Sequence, residues 1–360
     1  MLAALRQRKD SWKRISAQRL RLGFVNGIEW LIRDPSETVI GRTPFEPILS
    51  RGKLVVRRYR GAEGSRHRTP VLLIPPLMVK PFIFDLHEGR SLVRHLLDAG
   101  YPVYLVDFGE PERADAYVTL DDYVLDWLPA ACDAVCADTR SEGLSLLGYC
   151  MGGLFALSHT AANEDERVRN IVAIAAPVDT HKMGAFAWIA KHGGAQVEAM
   201  AGLLGNVPGA VSSRAFKLLA PVRNVTRYAD LFLNLYDQEY VNGFDAMNAW
   251  TSQFIDYPAG AFQQFLREFM RHNRLYEGNL RFGERVADLG RVRASLLLFA
   301  GETDKVVPEA AVRGALEKVG SEDKTLHVVP GGHMGVFAGS QAPERVWRVT
   351  SDWLATRSGG

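Results

Sequence analysis

The stretch Leu144–Leu157, LSLLGYCMGGLFAL, decides the fold of this chain. Its apolar run is typical of a strand, the run ends in the pattern Gly-x-Cys-x-Gly, and small residues typical of a helix follow. This order predicts a nucleophile elbow, in which Gly148 and Gly152 let the backbone pack tightly around a strained Cys150. The alternative is a buried cysteine beside a glycine-rich turn, so the interpretation depends on whether Cys150 has catalytic partners.

Strand-like and helix-like segments alternate on both sides of this motif. KLVVRRYR, TPVLLIPP and YPVYLVDFG are strand-like runs before it, and VRNIVAIAAPV, RASLLLFAG and LHVVPGGH are strand-like runs after it. The alternation predicts an α/β fold with a mostly parallel sheet flanked by helices. We assign residues 51–178 and 290–360 to this core.

Residues 179–289 break the alternation. They carry Met, Phe, Trp and Tyr at helical spacing, and they far exceed an ordinary loop of about 2–6 residues. Because the segment follows the C-terminal end of a strand, where α/β sheets bind ligands, we expect an inserted helical lid or cap over the site. A simple helical appendage is the alternative.

Residues 1–50 are predicted to form an N-terminal basic amphipathic helical segment. Arginine and lysine alternate with leucine, isoleucine and tryptophan over residues 1–34. Such a helix can lie on a lipid or polymer surface, dock a partner, or pack against its own domain.

Composition narrows the class of protein. The net charge of +2 over 360 residues gives no argument for a nucleic-acid partner. No apolar run approaches the roughly 20 residues that span a bilayer, so we predict no transmembrane segment. The N-terminus turns basic without the apolar stretch of a secretory signal. We therefore expect a cytoplasmic protein.

The three cysteines are expected to be free thiols, because their number is odd and no leader sequence is recognised. Cys132 and Cys136 share one helical face and have no histidine nearby in the sequence. Two thiols alone make a poor metal site, so we expect these side chains to fill the core and predict no metal.

Cys150 has two partners in the chain order that a nucleophile elbow requires, which is nucleophile, acid and then histidine. LLLFAGETDKVVP places Asp304 in the loop after a late strand, and HVVPGGHMGVF places His333 in the loop after the next. Each residue alone is a weak signal, since aspartate in a glycine-rich loop is usually a turn former. Together they predict the triad Cys150, Asp304 and His333.

The oxyanion hole is predicted from the same geometry. The backbone N–H of Met151, directly after the nucleophile, is the first donor. The second is expected from the loop PPLMVKP, and we assign it to Met78, with Leu77 or Val79 as alternatives. The prolines of this loop have no N–H to donate.

A thiol suits a particular chemistry at this position. A histidine partner lowers the pKa of a cysteine from about 8.5 toward neutrality. Because the acyl-enzyme is a thioester, accepting an acyl group from acyl-CoA is close to thermoneutral, and passing it to an alcohol is downhill. Cysteine therefore favours transfer from a thioester to a hydroxyl, although a hydrolase could also use it.

The chain resembles the polyhydroxyalkanoate synthases of the α/β-hydrolase superfamily, most closely the class III catalytic subunit. The resemblance runs from about GKLVVRRYR to the C-terminus. Its matching segments include PPLMVKPFIFDL, VTLDDYV, LLGYCMGG, APVDTH, GNVPGAVSSRAFKLLAPV, GNLRFGERVADL, FAGETDKVVP and VPGGHMGVF. Several of these lie in the predicted lid, so the resemblance extends beyond the elbow.

This resemblance implies a fold, a reaction and a set of partners. It implies an α/β-hydrolase core in which Cys150 holds the growing chain as a thioester and His333 activates it. Asp304 then orients His333 or helps to deprotonate the incoming 3-hydroxyl. The implied substrate is a 3-hydroxyacyl-CoA, of short chain such as 3-hydroxybutyryl-CoA, and no cofactor is implied. The implied partners are the growing polyester, a second copy of the chain, a second synthase subunit and the surface of polyester granules.

Two positions depart from the family pattern. Lys305 follows Asp304 where the family usually has histidine, and Met151 follows Cys150 where it usually has glutamine or a similar residue. A pair between Lys305 and Asp304 would lower the basicity of Asp304. A Cys-dependent thioesterase or esterase therefore stays open as an alternative. A non-catalytic partner or granule-surface protein is a third interpretation, but the triad shows none of the damage expected of it.

Overall fold

An eight-stranded sheet forms the framework of the protein. The structure is a computed structural model that describes residues 17–32, 40–61, 64–218 and 221–358. Its strands are β1 (Phe45–Arg51), β2 (Leu54–Tyr59), β3 (Val71–Ile74), β4 (Asp85–His87), β5 (Arg90–Ser91), β6 (Val103–Asp107), β7 (Leu144–Tyr149), β8 (Val168–Ile174), β9 (Asn206–Val207), β10 (Tyr257–Pro258), β11 (Leu280–Phe282), β12 (Arg285–Ala287), β13 (Ser295–Gly301) and β14 (Lys324–Val329).

The large sheet has the order β1-β2-β6-β3-β7-β8-β13-β14. The pairs β1–β2 and β2–β6 are antiparallel, and every later neighbour in the order is parallel. Strands β3 and β7 are buried along their whole length, as expected of central strands that are covered on both faces. The predicted α/β fold with a mostly parallel sheet is confirmed.

Helices cover both faces of this sheet. The α-helices of the described residues are α1 (Ala17–Ile32), α2 (Leu92–Asp98), α3 (Leu128–Thr139), α4 (Met151–Asn163), α5 (Ala185–Leu204), α6 (Gly209–Leu218), α7 (Pro221–Asn234), α8 (Gln238–Ser252), α9 (Ala259–Gln264), α10 (Glu309–Lys318), α11 (His333–Ala338) and α12 (Arg348–Ala355). Buried side chains of α3, α4 and α10 form one core, and those of α2, α11 and α12 form another on the opposite face. Within the described ranges, no helix is long and apolar enough to span a bilayer.

Helices α5 to α9 lie between β8 and β13, which are parallel neighbours in the sheet. We call residues 179–289 the helical insertion. Its two ends are tied together by buried polar groups, since Asn273 accepts a hydrogen bond from the backbone N–H of Thr180 at 2.9 Å and donates one to Asp179 at 2.8 Å. The insertion therefore leaves and re-enters the core at one place. Its role as a lid stays a prediction.

The N-terminal prediction is wrong for part of its range. Residues 45–50 belong to β1, the edge strand of the sheet, because the turn at Gly52 (φ 58°) folds β1 back onto β2 as a hairpin. Residues 1–16 lie outside the described part of the chain. Helix α1 packs against the helical insertion of its own chain, where Asn26 donates to the carbonyl oxygen of Leu235 and the Trp30 indole donates to Asp245.

Candidate active site

Cys150 occupies the turn between β7 and α4, as the Gly-x-Cys-x-Gly pattern predicts. Its backbone has φ 53° and ψ −117°, a strained conformation for a residue with a side chain. The turn is held by hydrogen bonds, because the Cys150 N–H donates to the carbonyl oxygen of Ile174 at 2.8 Å and its carbonyl accepts from Gly153 at 3.0 Å. The Cys150 side chain is partly exposed.

The glycines of the elbow leave no room for a side chain. A Cβ on Gly152 would lie 1.9 Å from the carbonyl oxygen of Ile74, and one on Gly148 would lie 2.2 Å from the backbone of Gly152. The start of α4 therefore packs backbone against backbone on the end of β3. This close approach brings the loop after β3 next to Cys150.

His333 and Asp304 meet at the same edge of the sheet. Because β13 and β14 are parallel neighbours, their C-terminal loops lie side by side, and β7 ends at that edge too. His333 Nδ1 lies 2.8 Å from Asp304 Oδ2. The other oxygen of Asp304 accepts the backbone N–H groups of Val306 and Val307 at 2.8 and 2.9 Å. Both side chains are buried. The two backbone N–H groups hold the Asp304 carboxylate in the orientation in which it contacts the ring.

Cys150 interacts electrostatically with His333, which in turn contacts Asp304, so the structure brings the three predicted triad residues to one site. Burial by itself lowers the pKa of His333, but the charge of Cys150 and the hydrogen bond to Asp304 outweigh burial and raise that pKa to about 10. The elevation depends largely on a thiolate at Cys150. Acylation of the sulfur would remove that negative charge, so the His333 pKa would then fall and the ring could act as a base.

The predicted oxyanion-hole donors lie on the elbow and on the loop of residues 75–80, which we call the proline loop. Met151 is the first residue of α4, so its N–H has no acceptor within the helix. In the proline loop Met78 is partly exposed, whereas Leu77 and Val79 are each 5% exposed. The assignment of Met151 and Met78 to an oxyanion hole stays a prediction.

The helical insertion contacts this site, which sequence reasoning missed at the level of residues. The Ile255 N–H donates to the carbonyl oxygen of Met78 at 3.1 Å, and the Trp250 indole donates to that of Lys80 at 3.0 Å. The Tyr257 hydroxyl lies 3.3 Å from Met151 Sδ. The aromatic spacing of the insertion indicated buried helix faces, but periodicity does not tell which side chain reaches which loop.

Lys305 does not pair with Asp304, contrary to the interaction considered from the sequence. Both oxygens of Asp304 are engaged by His333 and by backbone N–H groups, and the Lys305 side chain is exposed. The turn that directs the carboxylate inward directs the next residue outward. Lys305 therefore gives no reason to expect a weakened triad.

Cys132 was expected to have no histidine nearby, but it belongs to a second Cys–His–Asp group. His159 lies close to it in space, with Cys132 Sγ 3.7 Å from His159 Nε2, because α3 and α4 pack together. Asp165 accepts hydrogen bonds from His159 at 3.1 Å and from two nitrogens of Arg167 at 2.8 Å. Cys132 is fully buried, and burial raises the pKa of its thiol well above the usual value. The group satisfies its own polar atoms inside the core and offers no accessible nucleophile.

The chain is similar in sequence to known proteins. Residues 71–340 match the family model described as the alpha/beta hydrolase fold. The chain is 31% identical to the poly(3-hydroxyalkanoate) polymerase subunit PhaC of Allochromatium vinosum over 88% of its own length and 90% of that protein. The chain belongs to the poly(3-hydroxyalkanoate) polymerases of the α/β-hydrolase superfamily. The predicted family and fold are confirmed.

The chain covers different shares of two other polymerases. The chain is 34% identical to the PhaC subunit of Haloferax mediterranei over 90% of this chain, but it spans only 66% of that protein. It is 30% identical to the PhaC subunit of Thiocystis violacea over 88% of this chain and 90% of the relative.

Solved structures agree on the fold alone. A monoacylglycerol lipase of Paleococcus ferrophilus superposes with a TM-score of 0.53 at 18% identity, covering 84% of this chain and 99% of the lipase. A monoglyceride lipase of Saccharomyces cerevisiae superposes with a TM-score of 0.54 at 15% identity, covering 90% of this chain and 98% of the lipase. Family membership therefore rests on the polymerase relatives.

Proposed function

We propose that this chain polymerises (R)-3-hydroxyacyl-CoA into polyester through a thioester on Cys150, with release of CoA. The observation that carries the proposal is the site at the strained elbow, where Cys150 interacts with His333 and His333 contacts Asp304, in a chain that belongs to the polymerase family. The CoA thioester is the substrate, so the reaction needs no further cofactor.

The first step is acylation. The Cys150 thiolate attacks the thioester carbonyl, and the N–H groups of Met151 and Met78 stabilise the oxyanion that forms. The carbon–sulfur bond to CoA then breaks, and the departing CoA sulfur takes the proton held on His333. One thioester replaces another, so this step is close to thermoneutral.

The second step forms the ester. Because acylation removes the charge of Cys150, the pKa of the buried His333 falls and the ring can accept a proton. His333 takes the proton from the 3-hydroxyl of an incoming 3-hydroxyacyl-CoA. The oxygen of that hydroxyl attacks the carbonyl on Cys150. The carbon–sulfur bond to Cys150 breaks, an ester forms, and the thiolate is regenerated. Transfer of the lengthened acyl group from CoA back to Cys150 continues the chain.

Two features support transfer to an alcohol over hydrolysis. His333 is only 8% exposed and Asp304 only 6%, so water has little access to the base. The helical insertion contacts the proline loop through Ile255 and Trp250, which supports its proposed role as a lid.

Exposed apolar side chains support a location on polyester granules. Leu20, Phe24 and Leu31 on α1 are largely exposed, as are Trp188 and Leu203 on α5. Large exposed apolar surfaces usually mark interaction sites. We therefore propose that α1 and α5 face the polyester. Phe24→Glu combined with Leu203→Glu should reduce co-sedimentation of the chain with polyester granules, and unchanged co-sedimentation contradicts this location.

A second synthase subunit and a second copy of the chain are proposed as partners in assembly. The curated relatives are named as polymerase subunits, which supports a partner subunit for this chain.

The test supplies 3-hydroxybutyryl-CoA to the full chain, with and without a candidate partner subunit, and measures CoA, insoluble polyester and free 3-hydroxybutyrate. We expect polyester and CoA from the wild type, neither from Cys150→Ala, and wild-type levels from Cys136→Ala. Free 3-hydroxybutyrate without polyester would favour the thioesterase alternative, and no CoA release in either condition would overturn an acyl-transfer function. Equal losses in both cysteine variants would reduce the elbow to a structural role.

A further inference from the structure

Tyr257 enters the site from the helical insertion. It lies on β10, which pairs with β9 so that Tyr257 faces Val207 in the hairpin. Its side chain is 1% exposed, and its ring makes an edge contact with Phe262 at 5.4 Å between centroids. The hydroxyl lies 3.3 Å from the sulfur of Met151, the residue that follows the nucleophile.

This hydroxyl has a poor partner. A buried phenol usually donates to a strong acceptor, because an unsatisfied buried donor costs about 1–3 kcal/mol. The thioether of Met151 is a weak acceptor. Tyr257 is thus a buried donor beside the nucleophile whose hydrogen-bonding capacity a substrate oxygen would satisfy better than sulfur does.

We propose that the Tyr257 hydroxyl binds the 3-oxygen of the acyl group on Cys150 and so determines specificity for 3-oxygenated substrates. The inference rests on the proposed function, because it concerns the acyl group that Cys150 carries in that reaction.

The position and chemistry of the phenol suit this role. In an acyl group on Cys150, the 3-oxygen lies on the second carbon beyond the carbonyl, and the Tyr257 hydroxyl approaches the residue next to that sulfur. The 3-oxygen is a hydroxyl in a monomer and an ester oxygen in a growing chain, and both can accept a hydrogen bond. Burial, together with Tyr123 and the charge of Cys150, raises the pKa of Tyr257 well above its usual value. The phenol therefore keeps its proton and acts as a donor.

An acyl group without the 3-oxygen loses this hydrogen bond. The phenol then returns to the Met151 sulfur, so discrimination is smaller than for a site that leaves a donor fully unpaired. A neutral hydrogen bond of ordinary strength corresponds to about 2–10-fold in rate.

The test compares 3-hydroxybutyryl-CoA with butyryl-CoA in the first turnover, where CoA release reports acylation. The full-length wild type should prefer the hydroxylated substrate, and Tyr257→Phe should reduce that preference by about 2–10-fold while the butyryl-CoA rate changes by less than about twofold. Tyr101→Phe is the matched control. It removes another buried phenol, which donates to the carbonyl oxygen of Ser351 on α12 at 2.7 Å in the core on the other face of the sheet, and it should keep the wild-type preference.

A substrate-side measurement does not depend on the variant folding. In the wild type, 3-methylbutyryl-CoA replaces the 3-hydroxyl by a methyl group of similar size and should acylate Cys150 about 2–10-fold more slowly than 3-hydroxybutyryl-CoA. Equal rates for these two substrates, or equal losses for both substrates in Tyr257→Phe, overturn the inference alone. A wild type that releases CoA from none of these thioesters overturns the proposed function as well.

Discussion

Replacement of Asp304 by asparagine tests how the site orients His333. One oxygen of Asp304 accepts the N–H groups of Val306 and Val307 at 2.8 and 2.9 Å, and the other lies 2.8 Å from His333 Nδ1. Asparagine must keep its carbonyl oxygen on those two donors, because its NH₂ group cannot accept from them. Its NH₂ then faces Nδ1, so Nδ1 becomes the acceptor and the ring proton moves to Nε2, the nitrogen that is left to face Cys150.

The expected loss of rate follows from moving the ring proton from Nδ1 to Nε2. A ring with its proton on Nε2 has no lone pair there to accept the proton of the thiol. The lost charge-assisted hydrogen bond corresponds to about 1.5–3 kcal/mol, and each 1.36 kcal/mol is tenfold in rate. The same change in a serine triad, where the tautomer is also reversed, costs about 10⁴-fold. We expect Asp304→Asn to slow first-turnover CoA release from 3-hydroxybutyryl-CoA by about 10²–10⁴-fold.

Rapid-quench measurement of CoA release is the assay, and a thermal melt checks that the variant folds. Lys305→Ala is the matched control, because Lys305 is the exposed neighbour whose ammonium makes no ion pair with Asp304, and its rate should stay within about twofold of the wild type. A folded Asp304→Asn variant that reacts within about threefold of the wild type would refute the orienting role of this carboxylate.

Three further predictions concern the elbow, the insertion and the base. Gly152→Ala should abolish CoA release and lower the melting temperature, because the new Cβ would lie 1.9 Å from the Ile74 carbonyl oxygen. A variant that melts and reacts like the wild type contradicts this prediction. In steady-state kinetics, Trp250→Phe should lower kcat about tenfold with KM nearly unchanged, because the proline loop loses an indole hydrogen bond of 3.0 Å. A change in KM alone would indicate a role in binding only. In an NMR titration of the free protein, His333 should lose its proton near pH 10. Cys150→Ala should lower that midpoint, because the charge of Cys150 is gone. Identical midpoints would exclude an ion pair between Cys150 and His333.

The candidate triad was predictable because strand periodicity and chain direction together place residues in space. Cys150, Asp304 and His333 each follow a strand-like run, and parallel strands in one sheet end at the same edge. The elbow was predictable for a steric reason, since only glycine fits at position 152 against the end of β3.

Other features depended on contacts that no local pattern encodes. Residues 45–50 form an edge strand because a hairpin turn pairs them with β2, although the prediction for 1–50 was a helical segment. His159 lies beside Cys132 only because two successive helices, separated by β7, pack together. Lys305 does not pair with Asp304, because backbone N–H groups of the turn engage one carboxylate oxygen and His333 of a distant loop contacts the other.

The sequence by itself determined the sheet, the order of the reactive residues and the family, because burial periodicity, glycine sterics and motif order are local properties of the chain. Only the tertiary structure decided which groups of the helical insertion contact Met151 and the proline loop, namely Tyr257, Trp250 and Ile255. The reason is physical: an apolar or aromatic residue records that a position is buried, but the partner it meets is set by how distant segments pack.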